Sequence, residues 1–141
     1  MACTASSAVQ THGEVTVSVR VLPRTSLVVQ SAPPDLVISA LDVRRSYIDV
    51  DEPTRLEISN NSPAGYALLI VPTARIFTAI TVRGAGGAAE LGRDGGAILE
   101  RGRAGLHIPL SLSFRFRLGP EVAPGRYPWP LHLAVRPLPA S

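Results

Sequence analysis

The sequence predicts an all-β protein of antiparallel strands, packed as a two-sheet sandwich or closed as a barrel. Three observations carry that expectation. Apolar residues recur at every second position in several stretches, the period that sends successive strand side chains to opposite faces. Turn signals punctuate the chain about every 8–12 residues, as in all-β domains. Thirteen prolines and twelve glycines in 141 residues leave little room for helices, because proline costs about 3 kcal/mol in a helix interior and glycine about 1. With 45% hydrophobic and 18% charged residues, the chain has the apolar content to build one core at this length. The expected organisation is a leader over residues 1–13 and a single sandwich domain over residues 14–141.

Glu14 to Leu22 opens the pattern. Val15, Val17, Val19 and Val21 alternate with Thr16, Ser18 and Arg20, and Pro23 ends the strand. Ser26 to Gln30 reads as a short strand before the Ala32-Pro33-Pro34 break. Asp35 to Glu52 admits two readings. As a helix it would be capped by Asp35, with Val37, Ala40, Leu41, Arg44 and Ile48 on one face. As strands, Leu36 to Ala40 and Ser46 to Val50 flank a turn; the β-branched content, and Arg44 on the would-be apolar stripe, favour this second reading. Thr54 to Ser59, Tyr66 to Val71 and Arg75 to Arg83 continue as strands. The turn cluster Asn60 to Gly65 joins the first two, and Pro72 parts the second pair.

Gly84 to Gly96 reads as a loop with room for a weak hairpin, and Ala97 to Glu100 as a short strand. The clearest strand is Leu106 to Leu118. Leu106, Ile108, Leu110, Leu112, Phe114, Phe116 and Leu118 form one row, opposite His107, Pro109, Ser111, Ser113, Arg115 and Arg117. Pro109 has no amide donor, which places that end of the strand at an edge or a bulge. The last strand, Arg126 to Val135, follows the turn Pro124-Gly125. It directs Trp129, Leu131, Leu133 and Val135 inward, and Pro128, Pro130, His132 and Ala134 outward. Prolines at alternate positions cannot donate to a neighbouring strand, so an edge location is expected.

All fourteen basic residues are arginine, set against eleven acidic ones for a net charge of +3. Arginine makes planar, bidentate contacts with carboxylate or phosphate. Along the chain, however, the only close groups are Arg44-Arg45, Arg101/Arg103 and Arg115/Arg117. Aromatic residues are 5% of the sequence, whereas nucleic-acid binders carry a concentrated basic stripe interleaved with aromatics. No nucleic-acid partner is expected. No membrane span is expected either, since no apolar run approaches about 18 residues.

Catalytic and metal chemistry find no support. Cys3 has no partner cysteine and no adjacent base. His12 lies in the leader, while His107 and His132 occupy outward rows with no third ligand in view. Asp49, Asp51 and Glu52, with Asp42, lack the spacing of a calcium loop. Gly84-Ala85-Gly86-Gly87 is not followed by the Lys-Ser/Thr of a phosphate loop. Neither GxSxG nor HExxH occurs. The expectation is a non-enzyme with no cofactor. Met1-Ala2-Cys3-Thr4 has no charged and apolar leader of the signal-peptide kind. The expectation is therefore a cytosolic protein, or one secreted with its signal peptide already removed; the small residues at the start fit the expectation of secretion or the cell surface.

Pro124-Gly125-Arg126-Tyr127 opens the last strand as PGxY, ahead of alternating apolar residues. Together with Gly65-Tyr66-Ala67-Leu68-Leu69 and Leu112-Ser113-Phe114-Arg115-Phe116, it resembles the immunoglobulin-like pilus (fimbrial) subunits of the chaperone–usher class, over most of the chain from Gly13 to Pro137. The resemblance implies an Ig-like sandwich of about seven to nine strands. Tyr127 would then hydrogen-bond back to the backbone, as in the tyrosine corner of such folds. It also implies a structural subunit of a secreted surface fibre, in which an N-terminal extension fills the gap left by a neighbour's missing strand. Partners would be other copies or homologous subunits and a periplasmic chaperone. The expected subunit-contact residues are Val15, Val17, Val19 and Val21, which serve as donor or as the domain's own first strand, with Trp129, Leu131, Leu133 and Val135. The chain departs from the family in having no cysteine pair. The alternative is a stand-alone β-sandwich module that binds carbohydrate or a protein partner at a loop end.

Overall fold

The computed structural model describes residues 22, 24–84 and 86–139; the leader and the Val15–Val21 row lie outside the described residues. Ten strands and one short helix follow in chain order: β1 (Thr25–Ser31), β2 (Asp35–Ile38), α1 (Ala40–Arg45), β3 (Tyr47–Asn60), β4 (Gly65–Pro72), β5 (Phe77–Arg83), β6 (Ala88–Gly92), β7 (Gly96–Arg101), β8 (Gly105–Leu118), β9 (Gly125–Pro128) and β10 (Leu131–Pro137). Every strand pairing is antiparallel. A five-stranded sheet runs β1-β3-β8-β5-β6, a three-stranded sheet runs β10-β4-β7, and β2 with β9 forms a separate ribbon. This is the expected all-β sandwich, with ten strands among the described residues where about seven to nine are expected for the chain. Among the described residues no helix is long and apolar enough to cross a membrane.

One core joins the layers. The large sheet contributes Leu56, Ile58, Ile80 and Phe116, the small sheet Tyr66, Leu68 and Ile70, and the ribbon Leu36 and Ile38. Phe116 stacks on Phe77 with ring centroids 4.4 Å apart, and Trp129 meets Phe114 and Phe116 edge-on at 5.9 Å. These are the offset and T-shaped geometries that aromatic quadrupoles favour. Trp129 is thus a core-packing residue. The hydroxyls of Tyr66 and Thr54 are buried with no hydrogen-bond partner among the described residues.

Asp35–Glu52 turns out to combine both readings. β2 and the start of β3 are strands, as favoured, but the turn between them is the helix α1. Ser39 caps it, accepting from the Asp42 backbone amide while the Asp42 carboxylate accepts from the Ser39 amide. This reciprocal pair is a capping box, and Ser46 closes the helix in the left-handed conformation at φ 68°. Asp35 is not the cap. Six residues are too few to hold a helix by propensity, so the caps and the flanking strands set it. β3 also runs on through Pro53, with the register shift between Val50 and Thr54 absorbed as a bulge.

Three further corrections concern side-chain direction and breaks. Leu106 is 77% exposed instead of continuing the inward row of β8. Between Ile58↔Ile108 and Asn60↔Gly105 the register slips, and His107 adopts φ 59°, so the bulge rotates Leu106 outward. The last strand is broken: β9 pairs with β2, and β10 pairs with β4 after the Trp129-Pro130 step. Pro130 is buried and its carbonyl accepts from the Thr73 amide at 2.7 Å. Pro109 lies where β8 has only β3 beside it, since β5 pairs with β8 only from Ser113 onward. That local edge is what a residue without an amide donor requires.

Candidate functional site

Two features stand out from the sandwich. The first is the margin where β1 and β10 lie side by side. Each is the end strand of its sheet, so each has one unpaired edge among the described residues. β10 therefore lies at an edge as expected, but Pro128 and Pro130, on which that expectation rests, fall in β9 and in the step before β10. The inward row of β1 is Thr25, Leu27 and Val29, facing Asn60, Ile58 and Leu56 in register. That of β10 is Leu131, Leu133 and Val135, paired with Pro72, Ile70 and Leu68. Leu131 is buried, but Leu27, Leu133 and Val135 are only partly so, and Val29 is 46% exposed. Apolar side chains that point at the core here reach solvent.

The opposite margin, formed by β6 and β7, is built differently. β6 and β7 span five and six residues. Glu100 stands opposite Tyr66 in register, and so on the inward face of β7. An inward-pointing charge on a short end strand discourages pairing with another chain. The β1–β10 margin carries no charge in either inward row.

A polar clasp closes one end of the β1–β10 margin. The Asn60 side chain accepts from Thr25 Oγ1 at 2.9 Å and from the Ser62 amide at 3.0 Å, and donates to the Arg103 carbonyl at 2.8 Å. Ser62 Oγ donates to the Leu138 carbonyl at 2.9 Å, and the Leu138 amide donates to Gly65 O. Gly65 sits at φ 106°, and a side chain there would collide with the Glu100 carbonyl.

The second feature is a cluster on the outer face of the large sheet. Cross-strand register sets Tyr47 beside Arg117 and Asp49 beside Arg115, with Ala79 and Thr81 on the far side of β8. The guanidinium groups of Arg45 and Arg115 lie 4.7 and 4.5 Å from the Tyr47 ring centroid, within cation–π range. Arg115 grips Asp49 through Nε and Nη2 at 2.6 and 3.0 Å. Those hydrogen bonds hold the Asp49 carboxyl below its usual value against partial desolvation, helped by the charges of Arg115, Arg45 and Arg83. Burial opposes ionisation of Asp42, but hydrogen bonds from Ser39 and Arg45 outweigh it, and its carboxyl is lowered too. Arg45, Tyr47, Arg115 and Arg117 wall a shallow depression of about 260 Å³ with Ala79 and Thr81 in its floor. No carboxylate lines this depression; Asp49 and Asp51 line the neighbouring one.

Among the expected contact residues, the structure brings Leu131, Leu133 and Val135 together on the inward face of β10 and puts Trp129 against the aromatic core. Val15, Val17, Val19 and Val21 lie outside the described residues. The arginine cluster was not foreseen, because its members are remote in sequence: Asp49 and Arg115 are 66 positions apart. His107 and His132 fall on different sheets and do not meet; His107 Nδ1 lies instead 2.8 Å from Glu57 Oε1. Among the described residues no three His, Cys, Asp or Glu side chains converge. Tyr127 donates its hydroxyl to the Ala123 carbonyl at 2.5 Å, the backbone contact expected of it. No family model matches the chain, and neither a curated protein nor a solved structure matches it.

Proposed function

We propose that this protein is a non-enzymatic structural subunit of a secreted surface fibre, assembled by addition of a β-strand from one copy to another. The observation that supports the reading is the β1–β10 margin. Among the described residues two unpaired edges run beside one another there, above inward rows of Leu27, Val29, Leu133 and Val135 that are incompletely covered. An added strand satisfies free backbone groups and inserts every second side chain into the core, so affinity and register come from the same contact. Residues 14–22 carry valine at every second position and are the donor in this reading. The β6–β7 margin is the poorer acceptor, because of Glu100.

The test is the mass in solution of the full chain and of a variant lacking residues 1–22. The full chain is expected to form polymers. The variant is expected to be monomeric and to capture a synthetic peptide of residues 14–22. A full chain that stays monomeric at every concentration, or polymers that survive the deletion, would overturn the reading.

A further inference from the structure

We propose that the depression walled by Arg45, Tyr47, Arg115 and Arg117 binds the carboxylate of an acidic sugar. This goes beyond strand addition and stands independently of it. Three guanidinium groups meet at the depression, and they are not equivalent. Arg45 is committed to Asp42, and Arg115 uses Nε and Nη2 on Asp49. Arg117, exposed between Tyr47 and Ala79, has no side-chain hydrogen bond or ion pair among the described residues. Its planar fork is therefore available for the two oxygens of an incoming carboxylate.

The surroundings favour an anion. Asp42 and Asp49 fix two of the cations in place yet do not line the depression, and neither does Glu90, which lies opposite Thr81 on β6. Two guanidinium groups already lie over the Tyr47 ring, so Arg45 and Arg115, which flank Arg117, are held in position before a ligand arrives. Such preorganisation lowers the entropic cost of binding.

The same geometry selects among anionic ligands. Nucleobases need a free aromatic face, and the Tyr47 ring is engaged by Arg45 and Arg115. Peptides that dock by strand addition or by an apolar helix face are recognised through unpaired backbone or apolar sockets. Here β8 is paired on both sides, and the floor is only Ala79 and the short side chain of Thr81. The volume of about 260 Å³ is below the roughly 300–1,000 Å³ of drug-sized sites, and suits a single ring. A uronate brings its own hydroxyls to Thr81 and Ser46, both of which line the depression, and its carboxylate to Arg117.

Titration of the full chain with D-glucuronate, followed by amide chemical shifts, tests the proposal. Saturable shifts are expected around Tyr47, Thr81 and Arg117, with glucose and inorganic phosphate each binding at least about tenfold more weakly. Arg117→Ala should weaken glucuronate about tenfold, Arg117→Lys should recover only part of that, and Arg136→Ala, on β10, should change nothing. The proposal fails if glucuronate gives no saturable shifts, if Arg117→Ala binds as the parent does, or if glucose or phosphate matches glucuronate.

Discussion

The Asn60 side chain donates to the Arg103 carbonyl across 43 positions of sequence, and so ties the end of β3 to the loop between β7 and β8. The same amide serves Thr25 and Ser62, and Asn60 is only 2% exposed. Truncation would leave several buried polar groups without partners, each costing about 1–3 kcal/mol. Asn60→Ala is expected to lose at least about 2 kcal/mol in urea unfolding. The same truncation at Asn61, whose side-chain contacts are exposed, should cost clearly less. Equal losses at the two positions would remove Asn60 from its place as the clasp.

Tyr66 presents the opposite case. Its hydroxyl is buried without a partner among the described residues, and removing such a group while keeping the ring is close to neutral or stabilising. Tyr66→Phe should unfold at the same or a higher urea concentration, by up to about 1 kcal/mol. A loss above about 1 kcal/mol would mean that the hydroxyl contributes a favourable contact.

Phe116 is fully buried between Phe77 and Trp129. Phe116→Ala is expected to cost about 3–5 kcal/mol, because a large cavity opens between the sheets. Trp129 is the only tryptophan, and its fluorescence should redden as it leaves the aromatic cluster on unfolding. An emission already at the position of free tryptophan in the native protein would contradict the packing.

Stability should fall at both ends of the pH scale. Asp42 and Asp49 are lowered in the folded state, so below the usual carboxylate value near 4 the unfolded chain takes up protons first. Their contribution is present above pH 4 or so and is lost as pH falls through the folded values. Tyr66 is raised by burial, with Glu100 adding and Arg103 opposing. Above about pH 10 the unfolded chain therefore releases its proton first, and stability drops as pH rises. Asp49→Asn should flatten the acid limb and Tyr66→Phe the alkaline limb. Unfolding curves whose pH dependence is the same in parent and variants would refute these assignments.

Val28 and Val29 separate the two faces of β1. Val29 lies on the inward row of the open margin, and Val28 on the outer face opposite Glu57. Val29→Lys should prevent assembly of the full chain, whereas Val28→Lys, which gains a cross-strand carboxylate, should not. Sedimentation of both variants decides this, and equal behaviour counts against strand addition at this margin.

Much of the fold was legible from period-2 rows alone. β8 was the clearest case, because Ile108, Leu110, Leu112, Phe114, Phe116 and Leu118 all become buried. Leu106 broke the rule because a bulge shifts register without altering the pattern of residue types. The helix α1 left a readable trace in Ser39 and Asp42, three positions apart, but strand-forming neighbours outweighed it. The arginine cluster left none. Side chains adjacent across a sheet are set by register, and register between β3 and β8 depends on bulges that local patterning does not specify.

Among the described residues the two flanks of this sandwich are unequal: one carries Glu100 on its inward row and the other carries no charge there. A building block with one receptive flank and one strand to give has a valence of two. Under the proposed strand addition, repeated joining of such blocks would produce an unbranched thread, with Glu100 disfavouring lateral growth.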